Sequence, residues 1–344
     1  MVEIPRTRRE LFAEVSRRLE SGGFGQQQLK VYWLEVNQKF SPAPRQNAGW
    51  ALGEKDFYYR RGIEDTDASP LWLDAANPRI WYVYTFQSRE RTEKVVKDDL
   101  LSQRGVDRVW LPESFLERVR RRSGFEGRGF RFSFMGLLAK GRTLDDLPSF
   151  SGKFWLGSDL PQRQIDFVRA AEQTFTKSSL RMSRPSRSPD IGSRLLLELY
   201  GRGHMTVAAS EDPEEILTLV NEIGSSYSGE LGEMENRRLA FPRPIEFKFK
   251  TELNLERFQE LVESGIGDPR LWMQRYEVDG GLHRYTGVDL HTSELVDLDI
   301  AEAYAYLGVN RGGCMNAAPR LMTVSSTNLS SRTEMFYEGA PLFA

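Results

Sequence analysis

Hydrophobic and polar residues are distributed along the chain in patterns that predict individual helices and strands. Thr7 and Glu10 have the spacing of a helix capping box, and Gly22-Gly23 follows the segment, which predicts a first helix. The β-branched and aromatic residues of 29–36 and 79–87 predict two strands.

The middle of the chain alternates between strand and helix signals. Residues 106–111 predict a short strand that leads into a helix over 112–122, because Pro112 suits the first helical turn. Residues 130–134 alternate phenylalanine with polar residues, as in a half-buried strand. Further strands are predicted at 152–157, 205–209 and 245–250, and a further helix at 161–175.

The last part of the chain contains a long helix followed by repeated alternation. Asp212 and Glu215 form a second capping box, which predicts the start of this helix, and Asn254 predicts the start of another. From 271 to 309 the alternation recurs around turn signals, which predicts an antiparallel meander. Residues 336–344 are predicted to form a frayed tail.

These elements predict an α+β (mixed α/β) fold in two domains, because 344 residues exceed the size of one typical domain. The first predicted domain, 1–180, combines a mixed sheet with helices and contains an aromatic-rich basic segment. Residues 181–193 alternate serine, arginine and proline, which predicts a linker. The second predicted domain, 194–344, combines an acidic long helix with an antiparallel sheet.

The composition favours a folded protein of a reducing compartment. Hydrophobic residues make up 40% of the chain, yet no apolar run approaches the roughly 20 residues that span a bilayer. Residues 1–9 lead straight into charged positions without the apolar core of a secretory signal. Cys314 is the single cysteine, which excludes an intramolecular disulfide. We therefore expect a cytoplasmic location without membrane contact.

Charge is segregated along the chain although the formal net charge is only −2. Residues 118–142 contain eight basic residues and one acid, whereas residues 211–235 contain eight acids and no base. Such asymmetry has two explanations, a polyanionic partner or attraction between the two segments themselves.

The basic segment 118–142 combines arginines with a phenylalanine-rich strand. Arginine guanidiniums bind phosphates and aromatic rings stack on bases, so the combination is typical of a nucleic-acid groove. The alternative is a helix C-terminus whose arginines complement the helix dipole, followed by a strand whose phenylalanines are core. The residues predicted to contact phosphates are Arg118, Arg120, Arg121, Arg122, Arg128 and Arg131.

Glu246 and Lys248 lie on one face of a predicted strand and resemble, at motif scale, the Glu-x-Lys strand of the PD-(D/E)xK nucleases. In that family the carboxylate helps to hold Mg²⁺ and the lysine assists the attacking water, so the resemblance implies Mg²⁺-dependent phosphodiester cleavage by these two residues. The resemblance covers about six residues. An Asp-bearing strand should precede the pair closely, whereas here the nearest upstream aspartates are Asp190 and Asp212.

Two further sets of side chains could carry chemistry. His283, Asp289 and His291 could bind zinc or iron, but a straight strand would spread them over about 27 Å, so only Asp289 and His291 could share an ion. The alternative is that these three residues are half-exposed positions near turns and bind no ion. Cys314, beside Arg311, could be a nucleophile, although a lone cysteine is more often a small buried hydrophobe.

The function favoured by the sequence is a nucleic-acid- or protein-binding subunit of a larger intracellular assembly. The expected partners are nucleic acid and proteins, including further copies of the chain. One alternative is the metal-dependent nuclease centred on Glu246 and Lys248, and Mg²⁺ is expected only in that case. Another is a structural or adaptor subunit without a ligand. Nucleotide-dependent catalysis is disfavoured because no phosphate-loop or dinucleotide fingerprint is present.

Overall fold

The structure is a computed structural model, and it describes the chain in eleven stretches. Within these stretches the chain forms six α-helices and two antiparallel sheets, so the predicted α+β fold is confirmed. The described residues are 4–20, 28–44, 49–61, 69–135, 149–155, 176–185, 194–210, 212–250, 252–264, 270–328 and 332–343.

The first sheet has eleven strands. They are β1 (Leu29–Val36), β2 (Trp50–Leu52), β3 (Phe57–Arg60), β4 (Leu71–Asp74), β5 (Ile80–Thr85), β6 (Val106–Arg108), β7 (Glu126–Met135), β8 (Ser149–Trp155), β9 (Lys177–Pro185), β10 (Arg194–Tyr200) and β11 (His204–Ala209). Their order is β2-β3-β4-β5-β1-β11-β10-β9-β7-β8, and β6 also pairs with β1. Strand β1 is therefore internal, and all eight of its residues are buried.

The second sheet has seven strands in the order β13-β14-β15-β16-β12-β17-β18. They are β12 (Ile245–Phe249), β13 (Leu271–Asp279), β14 (Leu282–Asp289), β15 (Glu294–Ile300), β16 (Tyr304–Val309), β17 (Thr333–Tyr337) and β18 (Ala340–Leu342). Strands β13 to β16 are the predicted meander. The prediction of a frayed tail is wrong, because β17 pairs with β12 and Phe343 is buried.

The helices are α1 (Arg8–Glu20), α2 (Arg89–Val95), α3 (Glu113–Arg122), α4 (Pro213–Ala240), α5 (Leu255–Glu263) and α6 (Ala317–Asn328). A 3₁₀ turn covers Gln38–Phe40, and a π turn over Val96–Leu100 continues α2. The predicted cap of α4 is confirmed, since Asp212 Oδ1 accepts hydrogen bonds from the backbone N–H of Glu214 at 2.9 Å and of Glu215 at 3.2 Å.

Helix α4 covers one face of the first sheet. Its buried stripe contacts β1, where the indole N–H of Trp33 donates to the carbonyl oxygen of Val220 at 3.0 Å. One continuous buried cluster contains residues of both sheets and of α4, such as Trp33, Tyr227 and Leu298. The two sheets and α4 therefore share one hydrophobic core.

The prediction of a linker is wrong for its first residues, 181–185. Arg181–Pro185 lie in β9, which pairs with both β7 and β10, and Arg184 is buried against Glu215 with 2.8 Å between the charged atoms. Residues 186–193, and the helix predicted at 161–175, lie outside the described residues. Strands β10 and β11 follow the predicted linker yet join the first sheet beside β1. The division of the chain into two domains remains a prediction.

None of the helices within the described stretches is long and apolar enough to cross a bilayer.

Candidate functional site

Glu35 is a carboxylate in the interior of the first sheet. It lies on β1 with 1% of its surface exposed, between the fully apolar positions Leu34 and Val36. Burial raises the pKa of Glu35, although His291 and Arg79 act in the opposite direction. A buried carboxylate of this kind needs a proton, a cation or hydrogen bonds to offset the loss of water.

His291 reaches Glu35 from the second sheet. It lies in the turn between β14 and β15, is fully buried, and places Nε2 3.5 Å from Glu35 Oε2. The turn is fixed by two hydrogen bonds: the N–H of His291 donates to Asp289 Oδ1 at 2.9 Å, and its carbonyl accepts from the N–H of Gly105 at 2.9 Å. Among the residues that the structure describes, neither ring nitrogen of His291 has a hydrogen-bond partner, nor does Glu35 Oε2.

Cys314 approaches Glu35 from the loop that precedes α6. Its Sγ lies 3.5 Å from Glu35 Oε1, and the side chain is buried. The N–H of Cys314 donates to Glu294 Oε2 at 3.3 Å, and the N–H of Asn316 donates to the sulfur at 3.5 Å. Burial raises the pKa of the thiol well above its usual value, and the carboxylate of Glu35 adds to this effect.

The three side chains thus meet from three separate elements. One ligand atom from each of Glu35, His291 and Cys314 lies within 4.8 Å of the other two. A cavity of about 360 Å³ reaches Glu35 and Cys314 and is also lined by Arg79 and Glu235, whereas His291 is fully buried and does not line it. We call these three residues the thiol centre.

A buried ionic network surrounds the thiol centre. Arg320 on α6 is fully buried and bridges two carboxylates, with Nη1 2.5 Å from Asp107 Oδ2 and Nη2 2.7 Å from Asp289 Oδ2. Arg270 contacts Asp107 Oδ1 at 3.2 Å, and the amide of Asn316 donates to Asp107 Oδ2 at 2.9 Å. Burial alone would raise the pKa of Asp107, but the guanidiniums outweigh it and hold this pKa well below its usual range.

The network also contains an ion pair at the cavity. Arg79 holds Glu235 with two hydrogen bonds of 2.7 and 2.6 Å, and its Nη2 lies 3.7 Å from Glu35 Oε1. Arg79, Arg270 and Arg320 give the network three guanidiniums. These guanidiniums contact four carboxylates, which are Glu35, Asp107, Glu235 and Asp289. With every acid ionised, the network carries one negative charge in excess.

The sequence-predicted metal ligands are only partly in this site. His291 joins Glu35 and Cys314, whereas Asp289 faces Arg320 and supports the histidine through its backbone. His283 lies on β14 opposite Val278 and Ile300, outside the thiol centre. Sequence reasoning missed Glu35, whose signal was the single acid of a buried strand in which Lys30 is the other charged residue.

The predicted nuclease pair lies elsewhere. Glu246 and Lys248 are on the exposed face of β12, 3.6 Å apart, with 28% and 54% of their side chains exposed. Lys248 Nζ lies 4.7 Å from the centre of the Phe336 ring. Within the described ranges, three neighbouring metal-ligating side chains occur at the thiol centre, and no such group contains Glu246.

The predicted phosphate-binding arginines are largely paired with acids. Arg118 contacts Glu230 of the acidic helix α4. The other pairs are Arg120 with Glu117 at 2.7 Å, Arg128 with Glu126 at 2.6 Å and Arg131 with Glu198 at 2.6 Å. Arg121 and Arg122 are exposed at the end of α3, and residues 136–142 of the basic segment lie outside the described residues.

The fold and the thiol centre define a two-sheet α+β protein whose buried polar residues converge between the sheets. The chain belongs to the MJECL33-like protein family, whose pattern matches residues 13–339. This span contains the whole thiol centre and its ionic network.

A relative is known from the archaeon Methanocaldococcus jannaschii. It carries the description "Uncharacterized protein MJECL33", and it is 22% identical over 357 aligned positions, covering 89% of this chain and 85% of the relative. No solved structure matches the chain.

Proposed function

We propose that this protein binds a divalent transition metal ion, with zinc as the expected ion, through Glu35, His291 and Cys314. The observation that carries the proposal is the convergence of three buried ligand atoms within 4.8 Å. Two of these side chains also have buried polar atoms that find no hydrogen-bond partner within the described ranges, the ring nitrogens of His291 and Oε2 of Glu35. Buried polar atoms are normally satisfied, so unpaired ones call for a ligand.

The ligand types and spacings suit zinc. Thiolate, imidazole and carboxylate are its usual protein ligands, and bond lengths of about 2.0–2.3 Å place neighbouring donors of a tetrahedral site about 3.3–3.8 Å apart. The two oxygens of Glu35 each approach one other ligand at 3.5 Å, Oε2 to His291 Nε2 and Oε1 to Cys314 Sγ, and these two separations lie in this range. With one atom taken from each residue, the three lie within 4.8 Å of one another. The backbone N–H of His291 donates to Asp289 Oδ1 at 2.9 Å, which fixes the turn that carries the histidine.

The charge of the network favours a divalent ion. The four carboxylates exceed the three guanidiniums by one, and a Cys314 thiolate adds a second negative charge. An ion of charge +2 therefore neutralises the buried group, whereas a monovalent ion leaves it with an uncompensated charge, which is costly in the interior.

The cavity supports a catalytic rather than a purely structural centre. Structural zinc sites are closed by four protein ligands, whereas catalytic sites have three and leave one position for water or substrate. The thiol centre supplies three, and the cavity of about 360 Å³ reaches two of them, Glu35 and Cys314.

The test is metal content and affinity of the purified protein. We expect about one zinc per chain by mass spectrometry of the metals, and at least a tenfold loss of zinc affinity in a chelator competition for His291→Ala and for Cys314→Ser. His283→Ala is the matched control, because that histidine lies on the same sheet but outside the centre. Equal affinity in the wild type and both ligand variants, or no tight zinc binding by the wild type, contradicts the proposal.

Nucleic-acid binding is a second candidate. It is supported by the exposure of Arg121 and Arg122. Arg121 also lines a groove of about 750 Å³, in which Lys177 is paired with Glu117 and Lys250 with Glu334. The pairing of Arg118 with Glu230 instead favours mutual neutralisation of the basic and acidic segments.

We expect Arg121→Ala/Arg122→Ala to flatten the plot of log affinity against log salt by about 0.7 per lost contact for single strands, if these residues bind phosphates. Fluorescence anisotropy over a salt series measures the slope. Arg237→Ala, an exposed arginine on α4, is the control. An unchanged slope in the double variant argues against phosphate contacts at this helix end.

The remaining hypotheses have no new support. Cleavage centred on Glu246 and Lys248 would require carboxylates that do not surround them in the described part of the chain. A role as an adaptor without ligand, and as a subunit of a larger assembly, stays open. We keep the expectation of a reducing compartment such as the cytoplasm, because the single cysteine forms no intramolecular disulfide.

A further inference from the structure

The outer face of the first sheet carries a group of positive charges at the end formed by β7, β8, β9 and β10. These strands are neighbours in the order β10-β9-β7-β8. Leu180 and Met182 are buried in the core, so Arg181 between them lies on the opposite face, because successive side chains of a strand alternate. We call this opposite face the basic face, and its described charged residues are Arg128, Arg131, Lys153, Arg181, Arg194, Glu126 and Glu198.

The acids of the basic face neutralise only part of its positive charge. Glu198 pairs with Arg131 at 2.6 Å. Glu126 is shared by two arginines, with Arg128 at 2.6 Å and Arg194 at 3.5 Å. These two acids therefore serve three arginines, and one positive charge of this set remains in excess.

Lys153 and Arg181 form no ion pair within the described part of the chain, and both contact the indole of Trp155. Lys153 Nζ lies 3.0 Å from the centre of the ring, and the guanidinium carbon of Arg181 lies 3.9 Å from it. The indole lies over Gly129, where a Cβ atom would be 2.9 Å from its Cδ1 atom. The pKa of Lys153 is lowered, first by partial burial and then by the guanidiniums of Arg131 and Arg181. Two cations are thus held against one ring without an acid between them.

We propose that the basic face binds a single-stranded nucleic acid, with Lys153 and Arg181 contacting its phosphates and Trp155 contacting a base. The phosphates neutralise the charge that the two acids leave in excess, and they relieve the repulsion between the two cations at the indole. The indole has 44% of its surface exposed. Exposed aromatic rings beside cations are the usual features of surfaces that bind single strands.

The shape of the basic face favours a single strand over a duplex. Four neighbouring strands spread the cations over about 14 Å of open sheet. Bases reach an aromatic side chain on such a face when they are free of pairing within a duplex. An acidic protein also neutralises the cations, but it has no base for Trp155.

The proposal rests on nucleic acid being a partner, as does the second candidate function, but it concerns a different surface. Arg121 and Arg122 lie at the end of α3, whereas Lys153 and Arg181 lie on β8 and β9. Lys153 and Arg181 were also not among the residues selected from the sequence. Variants of the two surfaces therefore test the two hypotheses separately, and neither test depends on zinc at the thiol centre.

Fluorescence anisotropy of the full chain tests the proposal with labelled single strands of oligothymidylate and oligouridylate. We expect saturable binding of at least one of these probes. Lys153→Ala/Arg181→Ala should flatten the plot of log affinity against log salt by about 0.7 per lost phosphate contact. Trp155→Ala should weaken binding at least about fivefold at constant salt, because a base loses its aromatic contact.

The controls remove the same kinds of side chain elsewhere. Arg243→Ala/Arg275→Ala removes two exposed arginines outside the basic face and so changes the net charge equally. Trp272→Ala removes an indole of similar exposure, 49%, from the second sheet. Circular dichroism checks that each variant is folded, and Lys153→Gln/Arg181→Gln repeats the test with side chains closer in length to the native ones.

The proposal is overturned if neither single strand binds, or if the variants of the basic face bind as tightly as their controls. Equal binding of a labelled duplex contradicts the preference for single strands. Polyglutamate that competes as well as an unlabelled strand of equal charge indicates an acidic protein partner instead. Loss of affinity in Arg121→Ala/Arg122→Ala alone places the strand at the end of α3, which supports the second candidate function and contradicts this surface.

Discussion

Replacing Arg320 by alanine is expected to destabilise the protein by about 3–5 kcal/mol, the cost of breaking a buried ion pair from one side. Arg320 is fully buried, and its guanidinium is shared by Asp107 and Asp289, which are themselves buried. Without it, two carboxylates remain in the interior with too little positive charge and no access to water. The free energy of unfolding from urea denaturation at pH 7 measures the effect.

The control for this variant is Arg237→Ala, which removes an exposed ion pair on α4 and should change the free energy of unfolding by no more than about 0.5 kcal/mol.

The pH dependence of stability gives a second check of the buried network. The pKa of Asp107 is depressed in the folded protein, so its stabilising contribution is present at neutral pH and declines once the pH falls below about 4, the usual aspartate pKa. The difference between wild type and Arg320→Ala should therefore shrink in acid. A difference that grows in acid, or one below 1 kcal/mol at pH 7, contradicts the buried network.

Replacing Phe343 by alanine is expected to cost about 3–5 kcal/mol, as for other fully buried aromatic side chains. The ring has 2% of its surface exposed and packs against Phe115 and Tyr227, with centroids 6.0 and 5.5 Å away. A frayed tail, which the sequence pattern predicts, would lose almost nothing on the same change. Thermal and urea denaturation distinguish these outcomes.

Phe241→Ala is the matched control, because this phenylalanine has 61% of its surface exposed. Its removal should change stability by no more than about 0.5 kcal/mol. Equal effects of the two substitutions would mean that the segment after β18 does not pack on α3 and α4 in solution.

Local features of the chain were predictable because their causes act over a few residues. The cap of α4 depends on Asp212 and two adjacent N–H groups, and the meander of 271–309 depends on alternation between turns. The sequence-predicted positions of these elements agree closely with the structure.

The elements that were missed depend on distant partners. Helix α6 is buried on nearly all sides, including Thr323 and Ser325, so it lacks the polar face that marks an amphipathic helix, and Pro319 lies in its first turn. Strands β9 and β18 become strands through pairing with neighbours whose positions the local sequence does not specify.

The candidate site was beyond sequence reasoning for the same reason. Glu35 and Cys314 are separated by 279 positions, and no local pattern connects them. His291 was selected because histidine is a metal ligand, but with Asp289 as its neighbour on a strand. The folded chain instead places Asp289 against Arg320 and leaves the ring of His291 facing Glu35.

The sequence positions of the buried ions have a consequence for the order of folding. Asp107 enters the first sheet from the early part of the chain, whereas Arg270 and Arg320, which contact it, leave the ribosome more than 160 residues later. Until those arginines arrive, a nascent first sheet can bury Asp107 only by protonating it or leaving it hydrated, and both are unfavourable in a closed core. We therefore expect the first sheet to be completed late, once the last quarter of the chain has been synthesised, and contacts of such long sequence separation predict slow folding.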